Sequence, residues 1–203
     1  MTCLACGAFG QSPCAPCRRT LVPAPETVCG GLVVRAAFVH EGAARSLVRR
    51  LKYDGVPEAA RGLAGAMAEA LPTDARVLAP VPRSLARRVR YGIDQSLVLA
   101  NAVSERSGLP VTRVLAASPV HLPNAGRGRE GRRPPRFRMR GPSRGGIVLV
   151  DDVVTTGTTL LAAAEALGGG VVGAVTATRA MPRSHGERLG RHPWRPPAPG
   201  GGR

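Results

Sequence analysis

Asp151 and Asp152 stand together behind four aliphatic residues, Ile147-Val148-Leu149-Val150, and ahead of a hydroxyl-rich run, Thr155-Thr156-Gly157-Thr158-Thr159. Each part has a chemical use. Adjacent carboxylates where a strand ends can accept hydrogen bonds from a vicinal diol or hold a hydrated Mg2+. A loop at the start of a helix, here read from Leu160 to Leu167, can turn its backbone N–H groups toward one anion, and the helix dipole favours negative charge there. Gly157 lets the backbone come close, and the threonine hydroxyls add donors. A phosphate beside a diol describes a ribose 5-phosphate.

A second constellation lies at the start of the chain. Cys3-x-x-Cys6 and Cys14-x-x-Cys17 are separated by seven residues. Four thiolates at that spacing can close tetrahedrally on Zn2+ and staple a segment too short for a core of its own. Redox use of one pair is the rival, but two pairs favour metal. Cys29 is left over and reads as a free buried thiol.

Two other patterns carry less than they suggest. An apolar run ending in Asp-Asp also suits a P-loop ATPase, but that chemistry needs a Gly-Lys pair, and the chain's single lysine, Lys52, follows Leu51. Gly126-Arg127-Gly128-Arg129-Glu130-Gly131 matches a dinucleotide-binding spacing, yet it leads into Arg132-Arg133-Pro134-Pro135, which cannot open a packed helix.

The elements that must position these groups follow from patterning. The 203 residues suit one main domain with an appendage, and 43% hydrophobic with 3% aromatic content calls for a core of Val, Leu and Ala. Strands are expected at Leu32–Val39, Arg76–Pro80, Val111–Leu115, Ile147–Val150 and Val171–Ala177, and helices at Arg45–Leu51, Glu58–Leu71, Gln95–Arg106 and Leu160–Leu167. Their alternation predicts a parallel sheet with helices on both faces. Ligands on such sheets sit at the carboxyl ends of the strands. That edge carries the turn after Val81, the loop after Leu115 and the two acids. Residues 117–140 are rich in Gly, Pro and Arg and are expected to pack no core. From Met181 onward the same residue types predict a disordered tail. The expected domains are a four-cysteine zinc segment at 1–30, a catalytic-type domain at 31–180 and the tail at 181–203.

The net charge of +16 is almost all arginine. It fits a phosphate-rich partner or substrate, and equally the Arg/Ala/Gly/Pro bias of GC-rich coding. The scarcity of aromatics weakens a single-strand nucleic-acid reading. No apolar run approaches the roughly 20 residues of a membrane span, and with no basic stretch leading into an apolar one near residue 1, no signal peptide is expected. A cytoplasmic location without membrane insertion is expected, and in a reducing compartment regular cysteines favour metal over disulfides.

The strand, acids and loop resemble the fingerprint of type I phosphoribosyltransferases, which bind 5-phosphoribosyl-1-pyrophosphate (PRPP). The resemblance implies that Thr155, Thr156, Gly157, Thr158 and Thr159 hold the 5-phosphate and that Asp151 and Asp152 face the ribose hydroxyls. Nearly the whole chain except the tail is similar to the ComF/GntX family. The matching pieces are the four cysteines, Leu51-Lys52-Tyr53-Asp54-Gly55, Pro80-Val81-Pro82, Gly92-Ile93-Asp94-Gln95 and the fingerprint. Tyr91 fills the slot before Gly92, with Arg90 one place earlier, and His121 replaces the usual Gln; Arg129 and Phe137 follow at about the expected spacing.

This resemblance implies the type I phosphoribosyltransferase fold with a small N-terminal zinc segment built on the four cysteines. It further implies displacement of pyrophosphate from C1 of PRPP by an acceptor the sequence does not name. Asp151, Asp152, Arg127 and Arg129 would form the catalytic set. Mg2+ with Arg83, Arg87 and Arg88 would neutralise the pyrophosphate, and residues 117–140 would close as a lid. An alternative is a non-catalytic protein that binds nucleotides or single-stranded DNA and serves DNA uptake beside competence proteins. A third is a zinc-ribbon adaptor that recruits a partner through the first 30 residues. A homodimer is open on each of these readings.

Overall fold

A computed structural model describes residues 1–83, 93–117, 135–141 and 145–181. Seven strands and five helices run in the order α1 (Ala15–Arg19), β1 (Thr27–Cys29), β2 (Leu32–Val39), α2 (Gly42–Tyr53), α3 (Glu58–Glu69), β3 (Val77–Pro80), α4 (Gln95–Ser107), β4 (Leu115–Ala117), β5 (Phe137–Met139), β6 (Ile147–Val154), α5 (Thr158–Leu167) and β7 (Val171–Arg179) among the described residues. Five strands form one sheet in the order β1-β2-β7-β6-β3. β2, β7, β6 and β3 are parallel, and only the edge strand β1 is antiparallel.

The central strand β6 explains the layering. Ile147, Val148, Leu149 and Val150 are all buried, as a parallel strand covered on both faces requires. Val148 and Val150 pack with α2, α3 and α4, whereas Ile147 and Leu149 pack with α5 and the β4–β5 pair. α2 buries Ala43, Ala44, Leu47, Val48 and Leu51, one stripe at helical spacing, and leaves Arg45, Arg49 and Arg50 outside. On α3, a Cβ at Gly62 would meet Pro13 Cδ at 3.1 Å and Leu47 Cδ1 at 3.3 Å. That glycine lets α2, α3 and the cysteine segment come together.

Several boundaries differ from expectation. β6 does not stop at Val150: it continues to Val154, because β7 is long enough to pair Asp151 with Thr176 and Val153 with Thr178. The acids therefore sit inside the last turns of the ladder. The stretch before residue 31, where no strand is expected, adds one: Thr27–Cys29 zips onto Val34–Leu32. Val111 makes only an isolated bridge to Leu78, and the strand lies further on, at Leu115–Ala117, paired with Phe137–Met139. The two ends of the expected lid thus do pack, and Phe137 joins the core beneath α5. Among the described residues, no helix is long and apolar enough to cross a membrane.

Leu47 is fully buried between α2 and its neighbours. Leu47→Ala should lower unfolding free energy by about 2–5 kcal/mol in a denaturant titration. Arg50→Ala removes only the exposed pair with Asp54 at 3.0 Å and should change it by less than about 1 kcal/mol.

Candidate active site

The register of the sheet brings distant residues to one point. Pro80 pairs with Val150, and the Val81 N–H donates to the Val150 carbonyl at 2.9 Å. The chain after β3 thus continues alongside β6 and delivers Arg83 to Asp152, with Nη2 2.5 Å from Oδ2. Lys52, near the end of α2, reaches the same oxygen with Nζ at 3.1 Å. Asp152 is 4% exposed, and a carboxylate so placed needs such partners to offset its lost hydration.

Asp151 has a different environment. Its Oδ1 accepts from the Ser96 hydroxyl at 2.9 Å and from the Asp152 N–H at 2.8 Å. Ser96 is available because α4 begins at Gln95, pointing its first turn at the acids. Although the residue keeps some accessible surface, its carboxyl lies deep among protein atoms. Burial, then the neighbouring Asp152 charge, pushes its pKa from 3.8 up to about 7. The two acids are thus held apart in character: one is paired with cations and the other hydrogen-bonded and proton-retaining.

Behind the acids, His40 Nδ1 lies 2.8 Å from Thr178 Oγ1. The Thr178 hydroxyl in turn donates to the Asp152 carbonyl at 3.4 Å. Burial, then the charges of Lys52 and Arg45, lowers the His40 pKa. Gln95 Nε2 donates to the Lys52 carbonyl at 3.4 Å, tying the end of α2 to the start of α4.

The hydroxyl loop follows directly. Thr155, Thr156 and Thr158 are exposed and Gly157 is buried, with Thr156 and Thr158 hydroxyls 2.9 Å apart. Gly157 caps α5 at φ +76°, where a Cβ would lie 2.5 Å from Cys29 Sγ. Only glycine fits, on both conformational and steric grounds. Cys29, expected as a free buried thiol, is free and partly buried, and it backs the loop from β1.

The sequence singled out Asp151, Asp152, Arg83 and the loop, and the structure gathers them at one sheet edge. Arg87, Arg88, Arg127, Arg129, His121 and most of the expected lid lie outside the described residues, as does the tail from residue 182. Sequence reasoning assigned no chemical role to Ser96, Thr178 or His40, for which no local signal exists. It also gave none to Lys52, although one lysine among 29 basic residues is itself a signal.

At the other end of the chain, Cys3, Cys6, Cys14 and Cys17 offer sulfurs that all lie within 4.8 Å of one another, with Cys6 and Cys14 Sγ 3.7 Å apart. This suits tetrahedral thiolate coordination of Zn2+, where Zn–S is about 2.3 Å. Their electrostatics call for a cation. Burial would raise the Cys3 thiol, but N–H groups of Cys14, Cys6 and Ala5 outweigh it and bring it down to about 6. Burial, then the neighbouring sulfurs, pushes Cys17 upward, a cost that a bound cation would offset.

Two outcomes follow from this geometry. Metal analysis of the purified protein should find about one Zn2+ per chain, and Cys6→Ser should lose it; a fully folded metal-free wild type would contradict this. Because the folded pKa of Asp151 is raised, its contribution to stability is fully present below pH 3.8 and is lost as pH rises through about 7. Ligand-free Asp151→Asn should therefore show a flatter stability profile than wild type across that window in pH-dependent denaturant titrations.

Comparison with known proteins agrees with this arrangement. A search of curated proteins gives no match. The model of the phosphoribosyl transferase domain matches residues 55–183, more than half of the 203-residue chain. The matched span holds the Pro80–Arg83 turn, both acids and the hydroxyl loop, and on this ground the chain belongs to the phosphoribosyl transferase domain family.

Proposed function

We propose that the protein transfers the 5-phosphoribosyl group of PRPP to an acceptor and releases pyrophosphate. The observation that carries this reading is the pair of unlike acids, Asp151 and Asp152, running straight into a glycine-capped threonine loop within a phosphoribosyl transferase domain. Backbone N–H groups and the hydroxyls of Thr155 to Thr159 receive the 5-phosphate at the start of α5. Asp151 and Asp152 accept from the ribose hydroxyls. Arg83, released from Asp152 as the ribose takes its place, turns to the departing pyrophosphate. Arg87, Arg88, Arg127 and Arg129 would complete that charge. No protein nucleophile is needed: positioning and charge stabilisation lower the barrier.

The donor set suits Mg2+, a hard cation that prefers oxygen ligands: Oδ1 of Asp151 is already engaged, and a cation at its other oxygen would displace the proton that burial favours there. Asp151 and Asp152 would hold Mg2+, which would supply charge neutralisation on the leaving group. Zn2+ on the four cysteines has a structural role, away from this chemistry.

PRPP with Mg2+ should raise the melting temperature, equivalent to about 2.7 kcal/mol at a hundredfold excess over Kd. Asp151→Asn combined with Asp152→Asn should remove that shift and leave the far-UV spectrum unchanged. A double variant that binds PRPP as well as wild type does would refute the ribose assignment. A protein that binds DNA in a steeply salt-dependent way but releases pyrophosphate with no acceptor would belong instead to the non-catalytic reading.

A further inference from the structure

One face of α5 is used neither by the sheet nor by the acids. Among the described residues α5 packs on β4, β5, β6 and β7, burying Leu160, Ala163 and Leu167. Beside that buried stripe a hollow of about 580 Å³ opens between α5 and β5, lined by Phe137, Leu161, Ala162 and Ala166. All four are half-buried, so each has surface to offer an occupant. Exposed Arg136 and Glu165 stand in the same lining, one cation and one anion. Glu165 makes no ion pair among the described residues.

Two further features bear on what fills it. The first is where the chain leaves the sheet. β7 ends at Arg179, the Ala180 N–H donates to the Val154 carbonyl at 2.9 Å, and Met181 is exposed. The chain therefore departs beside the last residue of β6, the residue from which the threonine loop and α5 follow. From Met181 to Trp194 it can span roughly 40 Å, whereas α5, with its ten residues, is only about 15 Å long. The second feature is composition. Trp194 is the chain's one tryptophan, within Arg191-His192-Pro193-Trp194-Arg195-Pro196-Pro197. One large apolar side chain among prolines and arginines cannot build a core, but it can make a docking segment. Tryptophan and arginine are enriched where surfaces bind, and prolines keep a chain extended, so less freedom is lost on binding.

We propose that this hollow is the docking site of the chain's own tail, with the Trp194 indole against Phe137, Leu161, Ala162 and Ala166 and Arg195 on Glu165. An open groove of this kind holds a free peptide weakly. A tethered segment is different, because a short linker presents it at an effective concentration of the order of millimolar. Modest affinity then suffices, and the tail has the advantage over any free partner. Thr158 also lines the hollow and belongs to the threonine loop, so the docked tail forms a strap over the start of α5. This inference does not depend on the phosphoribosyl-transfer reading.

The test uses the full-length protein, with its single tryptophan as reporter. Trp194 emission should lie to the blue of that from a synthetic peptide of residues 182–203, and acrylamide should quench it about threefold less efficiently, as burial of the indole requires. Ala162→Arg with Ala166→Arg fills the hollow and sets like charge against the tail. That pair should bring both readings to the peptide's values and leave the far-UV spectrum unchanged. Wild-type emission and quenching equal to the peptide's would overturn the proposal. So would protection that the arginine pair leaves intact, which would seat Trp194 elsewhere, or protection that fades on dilution, which would give the hollow to the tail of a second copy. If the arginine pair does not fold, Trp194→Ala decides, since that residue lies outside α5 and β5. Amide hydrogen exchange across residues 135–139 and 158–167 should then be about threefold faster than in wild type; unchanged exchange overturns the proposal.

Discussion

Asp152 brings a negative charge into the rim of an aliphatic sheet, where water cannot solvate it, and the way that charge is met organises the molecule. Its Oδ2 is shared by Lys52 at 3.1 Å and Arg83 at 2.5 Å. Lys52 belongs to α2 and Arg83 to the turn after β3, so one carboxylate fastens two elements that lie on opposite sides of β6. Removing either cation would leave a buried charge half-met, a change that costs several kcal/mol in comparable sites. Such pairing is poor as a pure stabiliser and well suited to exchange. A ligand offering hydroxyls to Asp152 and phosphates to the cations replaces each interaction with an equivalent one.

The same logic extends outward from the acids. Asp151 is buried beside Asp152 without a cation of its own, and takes Ser96 and a backbone N–H instead. Two adjacent carboxylates with unlike partners avoid direct repulsion by keeping one proton-retaining. Behind them, Thr178 and His40 link the backbone of β6 to the end of β2. The site is thus spread over the carboxyl ends of four parallel strands, with helix starts and ends filling the gaps.

The N-terminal portion is more than an appendage. Cys3 and Ala5 join the core cluster formed by α2, α3 and α4, while Cys6, Cys14 and Cys17 pack against it. β1 extends the sheet, and Cys29 on it backs Gly157 of the threonine loop. The cysteine segment is therefore coupled to α2, the helix that supplies Lys52. Residues outside the matched span of the domain shape one whole flank of the site.

By itself, the sequence determined the class of fold and the centre of the site. An all-aliphatic strand, paired acids and a hydroxyl loop are local patterns, and the strand–helix alternation follows from their spacing; β2 and the starts of α3 and α4 lie where periodicity placed them. The four cysteines were likewise legible, because metal-ligand spacing is set over a few residues. Tertiary structure alone decided what depends on pairing across the chain. β6 runs on to Val154 because β7 is there to bond it. Three residues at 27–29 become a strand only because β2 offers an open edge. Lys52, Ser96 and His40 became parts of the site because register and helix packing carried them 100, 55 and 138 positions across the sequence to Asp152, Asp151 and Thr178. Local patterns record the conformation of a segment, whereas contacts of that separation are recorded only in the way the layers stack.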